Sequence, residues 1–252
     1  MTKQLKPIFL NSLTPPSIFT LICLSAIGAL AMNIFLPSLP SMAKTFGVTY
    51  ATATLTITLF LAMNAVFQLF VGPLSDRFGR RPVVLASLII FCLSSFGCIL
   101  APSFEIFLTC RLLQSVVVAG LVLSRAAIRD MHSQDQAASV LGYVTMGMAI
   151  LPLIGPAVGG GLEVQFGWIA SFWVLFGIGV LVFLLAYLDM GETNKIKRRQ
   201  WPLNLRLIQN SSVPVVFGAI ALRQHLALAL ILLTLAVLLL LGVKYLGSPQ
   251  PN

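Results

Sequence analysis

The sequence predicts an all-α integral membrane protein, and three observations carry that prediction. Hydrophobic residues make up 58% of the 252 and charged residues only 9%, with a mean hydropathy of +0.97; a soluble domain of this size holds roughly a quarter charged residues. The apolar residues fall in runs long enough for a helix to cross a hydrocarbon core of ~30 Å, which takes ~20 residues. The bases gather in the short segments between those runs, as the positive-inside rule requires. The formal charge of +9 is therefore read as membrane topology and not as a nucleic-acid surface.

In order, Met1 to Ser17 is a short tail with Lys3 and Lys6, and Ile18 to Leu36 is the first span. Ala29-Leu30-Ala31 mimics a signal-peptide cleavage site, but the apolar run continues past it and further spans follow, so an uncleaved first helix is expected. The second span is about Ala51 to Val71, the third Val83 to Ala101 and the fourth Ile106 to Ala126. The fifth is about Ala138 to Leu162 and the sixth Trp168 to Leu188. A last apolar run, Leu226 to Val243, is long enough for one extra C-terminal span; Val213 to Leu222 is too short to cross alone.

With the N-terminus inside, thirteen of the sixteen bases fall on one side. Lys3 and Lys6 come first, then Arg77, Arg80 and Arg81 after span two, and Arg125 and Arg129 after span four. Lys195, Lys197, Arg198, Arg199, Arg206 and Arg223 follow span six. The opposite loops hold only Lys44. The expected topology has the N-terminus in the cytoplasm. The four cysteines lie inside apolar runs and read as small buried side chains. His132 and His225 are isolated, and no metal-binding, phosphate-loop or hydrolase motif is visible, so no enzyme activity, metal or cofactor is expected.

The densest charge lies between spans two and three. Thr45 to Ser75 and Pro82 to Phe104 contain no charged residue, whereas Gly72 to Pro82 reads GPLSDRFGRRP. Gly72 and Gly79 allow close approach and tight bending, and Pro82 suits the first turn of the next helix. The order G-x-L-S-D-R-x-G-R-R-P, with Gly72, Asp76, Arg77, Gly79, Arg80 and Arg81, resembles the signature between the second and third helices of the major facilitator superfamily. That resemblance implies a conformational role, with Asp76 meeting a helix of a C-terminal half and holding the cytoplasmic side shut. A solvated turn anchoring two helices is the plainer alternative.

Other motifs resemble the same superfamily, in particular its Bcr/CflA drug-resistance branch of drug:proton antiporters. Met32 to Phe46, MNIFLPSLPSMAKTF, resembles that branch's D-M-Y-L-P-A-L-P stretch; Pro37 and Pro40 are expected to interrupt the helix near its outer end. Asn33 stands where many members have an acid four residues before the first proline. An amide carries no proton, so Asn33 is expected to act as a hydrogen-bonding substrate contact. No Asp or Glu lies centrally in the six spans, Glu105 and Glu163 being at span ends.

Arg111 lies inside span four. A charge there costs ~2.5–3.5 kcal/mol at a helix centre and so faces a bundle interior or a wet cavity, unless it snorkels to the interface. Arg111 and Gln114 resemble the family's R-x-x-Q-G, with Ser115 in place of the glycine, which implies a part in proton coupling. RAAIRD, Arg125 to Asp130, resembles the branch's R-A-I-V-R-D, and its two arginines share a helix face; a solvated basic helix end is the alternative. In span five, Gly155, Pro156, Gly159 and Gly160 match the G-P-x-x-G-G antiporter motif. Physically the motif supplies a kink and a groove without side chains for a neighbouring helix.

The resemblance covers Ile18 to about Thr193, one six-helix half of a fold that binds substrate between two halves. The expected organisation is residues 1–193 as the N-terminal transporter half, 194–225 as a basic cytoplasmic linker and 226–252 as an isolated span and tail. The implied function is secondary-active export of small amphipathic drugs against protons, from a bacterial inner membrane, by a truncated carrier. The alternatives are a relic or membrane subunit that transports nothing, and a carrier completed by a second copy.

Overall fold

A computed structural model of the chain describes residues 9–10, 14–131 and 133–193. Lys3, Lys6, His132, the 194–225 linker and the Leu226 to Val243 run lie outside those residues. The described residues form eight α-helices and two short 3₁₀ turns, with no strand among them. The helices are α1 (Ile18–Asn33), α2 (Leu39–Phe46), α3 (Tyr50–Phe78), α4 (Arg80–Leu100), α5 (Phe104–Gln114), α6 (Val118–Met131), α7 (Gln134–Phe166) and α8 (Ile169–Asp189). They make six membrane-length spans, because α1 runs into α2 and α5 into α6.

Local sequence sets the ends. The hydroxyls of Ser17, Thr49 and Ser103 accept N–H groups of the first turns of α1, α3 and α5, the usual role of Ser and Thr at a helix start. Pro37 and Pro40 do not stop the first span. They sit at or near the start of the 3₁₀ turn Leu36–Ser38 and of α2, where a missing N–H leaves no bond unmade. The helix retightens and continues to Phe46, ten residues beyond the expected end at Leu36. The fourth span is retightened in its middle by the 3₁₀ turn Ser115–Val117.

The loops divide between two ends of the bundle. At one end Phe46, from α2, packs on Phe107 and Trp168 with ring centroids 5.4 and 5.5 Å apart, and Trp168 Nε1 donates to Thr45 Oγ1 at 3.2 Å. At the other end Asp189, the last residue of α8, is buried and accepts three bonds from the chain's beginning. The donors are Leu10 N at 2.7 Å, Ser17 N at 2.8 Å and Thr20 Oγ1 at 2.5 Å. Sequence reasoning missed this clasp between the first and sixth spans, since Asp189 reads as an ordinary polar residue just past an apolar run. Arg77, Arg80, Arg81, Arg125 and Arg129 all belong to elements ending here, whereas Lys44 is at the opposite end.

The core is built mainly on α1, α4, α5 and α8, with Leu24, Ile27, Phe35, Leu88, Phe91, Phe107, Phe172 and Leu175 among its buried side chains. Helices α3 and α7 are different. Only 17% of the most apolar stretch of each is buried, against 50–56% in the first, third and fourth spans. Large side chains such as Leu69, Phe70, Met146 and Leu153 remain exposed on them.

Candidate functional site

Two clusters hold the motif residues: one in the interior, one at the end where the clasp lies.

The interior cluster is built around Arg111. On α5, Phe104, Phe107, Arg111 and Gln114 are the buried residues, a spacing that places all four on one face. Arg111 is fully buried, which decides against snorkelling. Its Nη1 and Nη2 each lie 3.3 Å from the Ala31 carbonyl, and Nη1 also donates to Gln114 Oε1. Ala31 belongs to the last turn of α1, whose carbonyls have no continuing helix to serve, so the end of α1 leaves this acceptor for the guanidinium. Gln114 Nε2 donates onward to Ser95 Oγ at 2.6 Å, and Ser95 Oγ to the Phe91 carbonyl at 2.7 Å.

No carboxylate among the described residues pairs with this buried cation. Aromatic faces surround it instead: the guanidinium carbon is 4.1 Å from the Phe35 ring centre, 4.5 Å from Phe60 and 5.8 Å from Phe172. Each such contact contributes ~0.5–2 kcal/mol depending on desolvation. The site thus joins the first, second, third, fourth and sixth spans at one charge. Arg111 Nε remains without a partner among the described residues, and an unmet buried donor is costly.

Asn33 ends α1. Its Nδ2 donates to the Ala29 carbonyl at 2.7 Å, and its Cβ lies 3.2 Å from where a Cβ on Gly155 would stand. A Cβ on Gly159 would overlap the Ile34 carbonyl oxygen. Gly155 and Gly159 are one helical turn apart, so α7 meets the end of α1 backbone to backbone at these two positions. Gly160 is looser, with its nearest neighbour, Pro37, 3.9 Å away, and Pro156 lies within α7, which continues through it as one helix.

At the clasp end, the signature turn pivots on Gly79. Its φ of +98° is a conformation that side-chain-bearing residues rarely adopt. A Cβ there would also stand 2.5 Å from Glu192 Oε2. Glu192 accepts the N–H of Arg80 at 3.0 Å and that of Arg81 at 3.3 Å, placing a carboxylate against the positive start of α4. Helix α4 opens on two arginines with no acid in its first turn and no side-chain cap of its own, so the cap comes from beyond the sixth span.

Arg80 Nε donates to Asp130 Oδ2 at 2.6 Å and its Nη2 lies 4.0 Å from Asp76 Oδ1. Arg81 Nη2 donates to the Tyr187 carbonyl at 3.0 Å. Arg77 lies over the neighbouring Phe78 ring at 5.4 Å. Arg80 thereby ties the signature to the acid that closes RAAIRD, a link that sequence separation hid. Asp76, expected to meet a helix of another half, is paired here with Arg80. Nothing described lies within 4 Å of a Cβ on Gly72, so the close approach expected at both glycines is found at Gly79.

Six membrane-length helices packed around a buried charge where five of them meet define a multi-pass membrane protein. The chain belongs to the Major Facilitator Superfamily, whose family model matches residues 21–248. It is 37% identical over 157 residues to a chloramphenicol resistance protein of Pseudomonas aeruginosa, covering 62% of this chain and 37% of that protein. It is 34% identical over 192 residues to a bicyclomycin resistance protein homolog of Haemophilus influenzae, covering 76% and 48%. With multidrug resistance protein D of Escherichia coli it shares 31% over 153 residues, covering 60% and 39%. The chain thus spans less than half the length of these relatives. The fold matches that of the human organic anion transporter MFSD10 (TETRAN) with a TM-score of 0.58 at 20% identity, over 70% of this chain and 47% of that one. The family and the solved neighbour are those of transporters, not of enzymes.

Proposed function

We propose that this chain serves secondary-active export of small amphipathic compounds, driven by proton antiport, as a Bcr/CflA-type carrier in a bacterial inner membrane. The observation that carries the reading is Arg111: a fully buried cation with no carboxylate partner among the described residues, held by carbonyl and amide oxygens and three aromatic rings. A fixed charge of this kind inside a membrane bundle marks an ion or substrate path. Relatives named for resistance to chloramphenicol, bicyclomycin and multiple drugs support the substrate class.

In this reading Arg111 and Gln114 sense the protonation state of the cavity, and Asn33 contacts substrate at the partly exposed end of α1. Gly155, Pro156, Gly159 and Gly160 hold α7 close to that end. Gly72, Asp76, Arg77, Gly79, Arg80 and Arg81 form the conformational latch, with the N-terminus in the cytoplasm. Residues 1–193 are one half of the transport unit, residues 194–225 a basic cytoplasmic linker and 226–252 a further span and tail. The second half is supplied by another stretch of polypeptide or by a second copy, set against the little-buried faces of α3 and α7.

The test is drug tolerance in a strain stripped of its own efflux pumps. The chain is expressed alone, with a complementary half, and as Asp76→Asn with that half. Tolerance is expected only with the complementary half and is expected to fall in the variant. Tolerance from the chain alone points to the second copy. No tolerance in any arm, with the protein present in the membrane, rejects transport.

A further inference from the structure

A second site lies at the clasp end, away from the Arg111 cluster. Between the end of α6 and the start of α7 is a cavity of about 400 Å³ lined by Arg129, Gln134, Ala137, Ala138 and Leu141. The last four form a single stripe of α7, at i, i+3, i+4 and i+7. The stripe changes character along its length: Gln134, its first residue, is polar, and one turn further it is wholly apolar. Seven residues of helix rise cover about 10 Å. That is enough to pass from the headgroup layer, about 5–8 Å thick on each side, into the hydrocarbon.

One cation, Arg129, lines the cavity. Arg129 lies two residues from the end of α6, and Arg125 is one turn earlier on the same face. Both are exposed, and neither guanidinium has a hydrogen bond or ion pair among the described residues. Of the acids nearby, Asp130 is held by Arg80 at 2.6 Å, and Asp135 lies exposed in the first turn of α7. Among the described residues, then, neither guanidinium is paired and Asp135 is left solvated.

We propose that this cavity binds an anionic phospholipid, its headgroup phosphate on Arg129 and Arg125 and the start of an acyl chain along Ala137, Ala138 and Leu141. Guanidinium groups recognise phosphate oxygens through paired N–H donors, and basic pockets between spans suit anionic headgroups. A free phosphate would use the mouth and leave the apolar floor empty. A lipid matches both parts at the depth where the membrane itself changes from polar to apolar.

The experiment measures lipid held by the purified full chain after delipidation in detergent and re-addition of phosphatidylglycerol or phosphatidylcholine, read by native mass spectrometry. Phosphatidylglycerol is expected to be retained over phosphatidylcholine, and millimolar inorganic phosphate is expected not to displace it. The double variant Arg125→Gln, Arg129→Gln should lower retention on the order of fivefold for each guanidinium removed, while the Lys pair keeps most of it. Ala138→Trp, which fills the floor and keeps both cations, should also lower retention. Circular dichroism and melting confirm that each variant folds; if the Gln pair does not, the Lys pair and Ala138→Trp decide. Equal retention of the two lipids, unchanged retention in the Gln pair or in Ala138→Trp, or displacement by phosphate alone would overturn the assignment. None of these readings depends on transport.

Discussion

Glu192 and Arg80 are 112 residues apart in sequence, yet the carboxylate of one accepts the backbone N–H of the other at 3.0 Å. The contact fastens the segment after the sixth span to the first residue of the third. It also explains the backbone at Gly79: the turn must open leftward, and carry no side chain, for the carboxylate to reach the helix end.

Gly79→Ala is therefore expected to destabilise the bundle by about 1–3 kcal/mol, since it imposes strain at a positive φ and a clash with Glu192. Glu192→Ala removes the cap and the favourable charge at a solvent-exposed helix end, costing about 0.5–1 kcal/mol. Because the Gly79 clash is with Glu192, the two effects should be less than additive in the double variant. Thermal unfolding in detergent measures all three; full additivity would show that Gly79 and Glu192 do not meet.

At Arg111 the informative comparison is with lysine. An ammonium is a compact point charge and lacks the planar fork that reaches Ala31 and Gln114 together. Arg111→Lys should keep the cation and the fold while losing one charge-assisted hydrogen bond of about 1.5–3 kcal/mol. That corresponds to a roughly ten- to hundredfold fall in drug-driven proton movement in everted vesicles that also hold the complementary half, with Arg111→Ala falling at least as far. Unchanged proton movement in Arg111→Ala would remove Arg111 from coupling.

The antiporter-motif glycines should separate sharply. At Gly159 an added methyl meets the Ile34 carbonyl oxygen, whereas at Gly160 the nearest atoms are 3.9 Å away. Gly159→Ala is expected to force α7 from α1 and reduce the yield of folded protein in the membrane. Gly160→Ala should be nearly silent. Equal yields and melting points for the two would mean that α1 and α7 are not in backbone contact.

Asn33→Asp places a titratable group at the partly exposed end of α1. Its protonated form can still donate to the Ala29 carbonyl, but its ionised form cannot, so the local structure becomes coupled to proton occupancy. The expected outcome, with the complementary half present, is tolerated export with a steeper dependence on external pH, measured as drug efflux over a pH series. A profile identical to that of the unaltered chain would show that position 33 is not on the proton route.

The six spans were legible because long uncharged runs alternate with short charged segments, a pattern the bilayer imposes directly. The inward set of Arg111 was legible as one of two alternatives, since a charge in an apolar run must either turn inward or reach the surface. Its surroundings were not: Phe35, Phe60 and Phe172 come from three different spans and look like any other apolar residue in a run. The partners of Arg80 and Arg81 were equally hidden, because pairing at a bundle end depends on which helices are neighbours. One faint sign existed: a helix opening on two arginines without an acid of its own invites a carboxylate from elsewhere. For span one, the interruption at the proline pair was legible, but not that the span resumes beyond it, because proline is tolerated at a helix start.

The tight turn at Ser115–Val117 has a mechanical consequence. A 3₁₀ segment advances about 2.0 Å and 120° per residue, an α-helix about 1.5 Å and 100°. Were those three residues to relax into α-helix, α6 would swivel by about 60° relative to α5 and draw in by about 1.5 Å. Arg111 and Gln114 sit immediately above that joint, and Asp130, gripping Arg80, sits near the far end of α6. Span four is thus geared like a screw, with the buried charge at its head and the signature turn within reach of its tip.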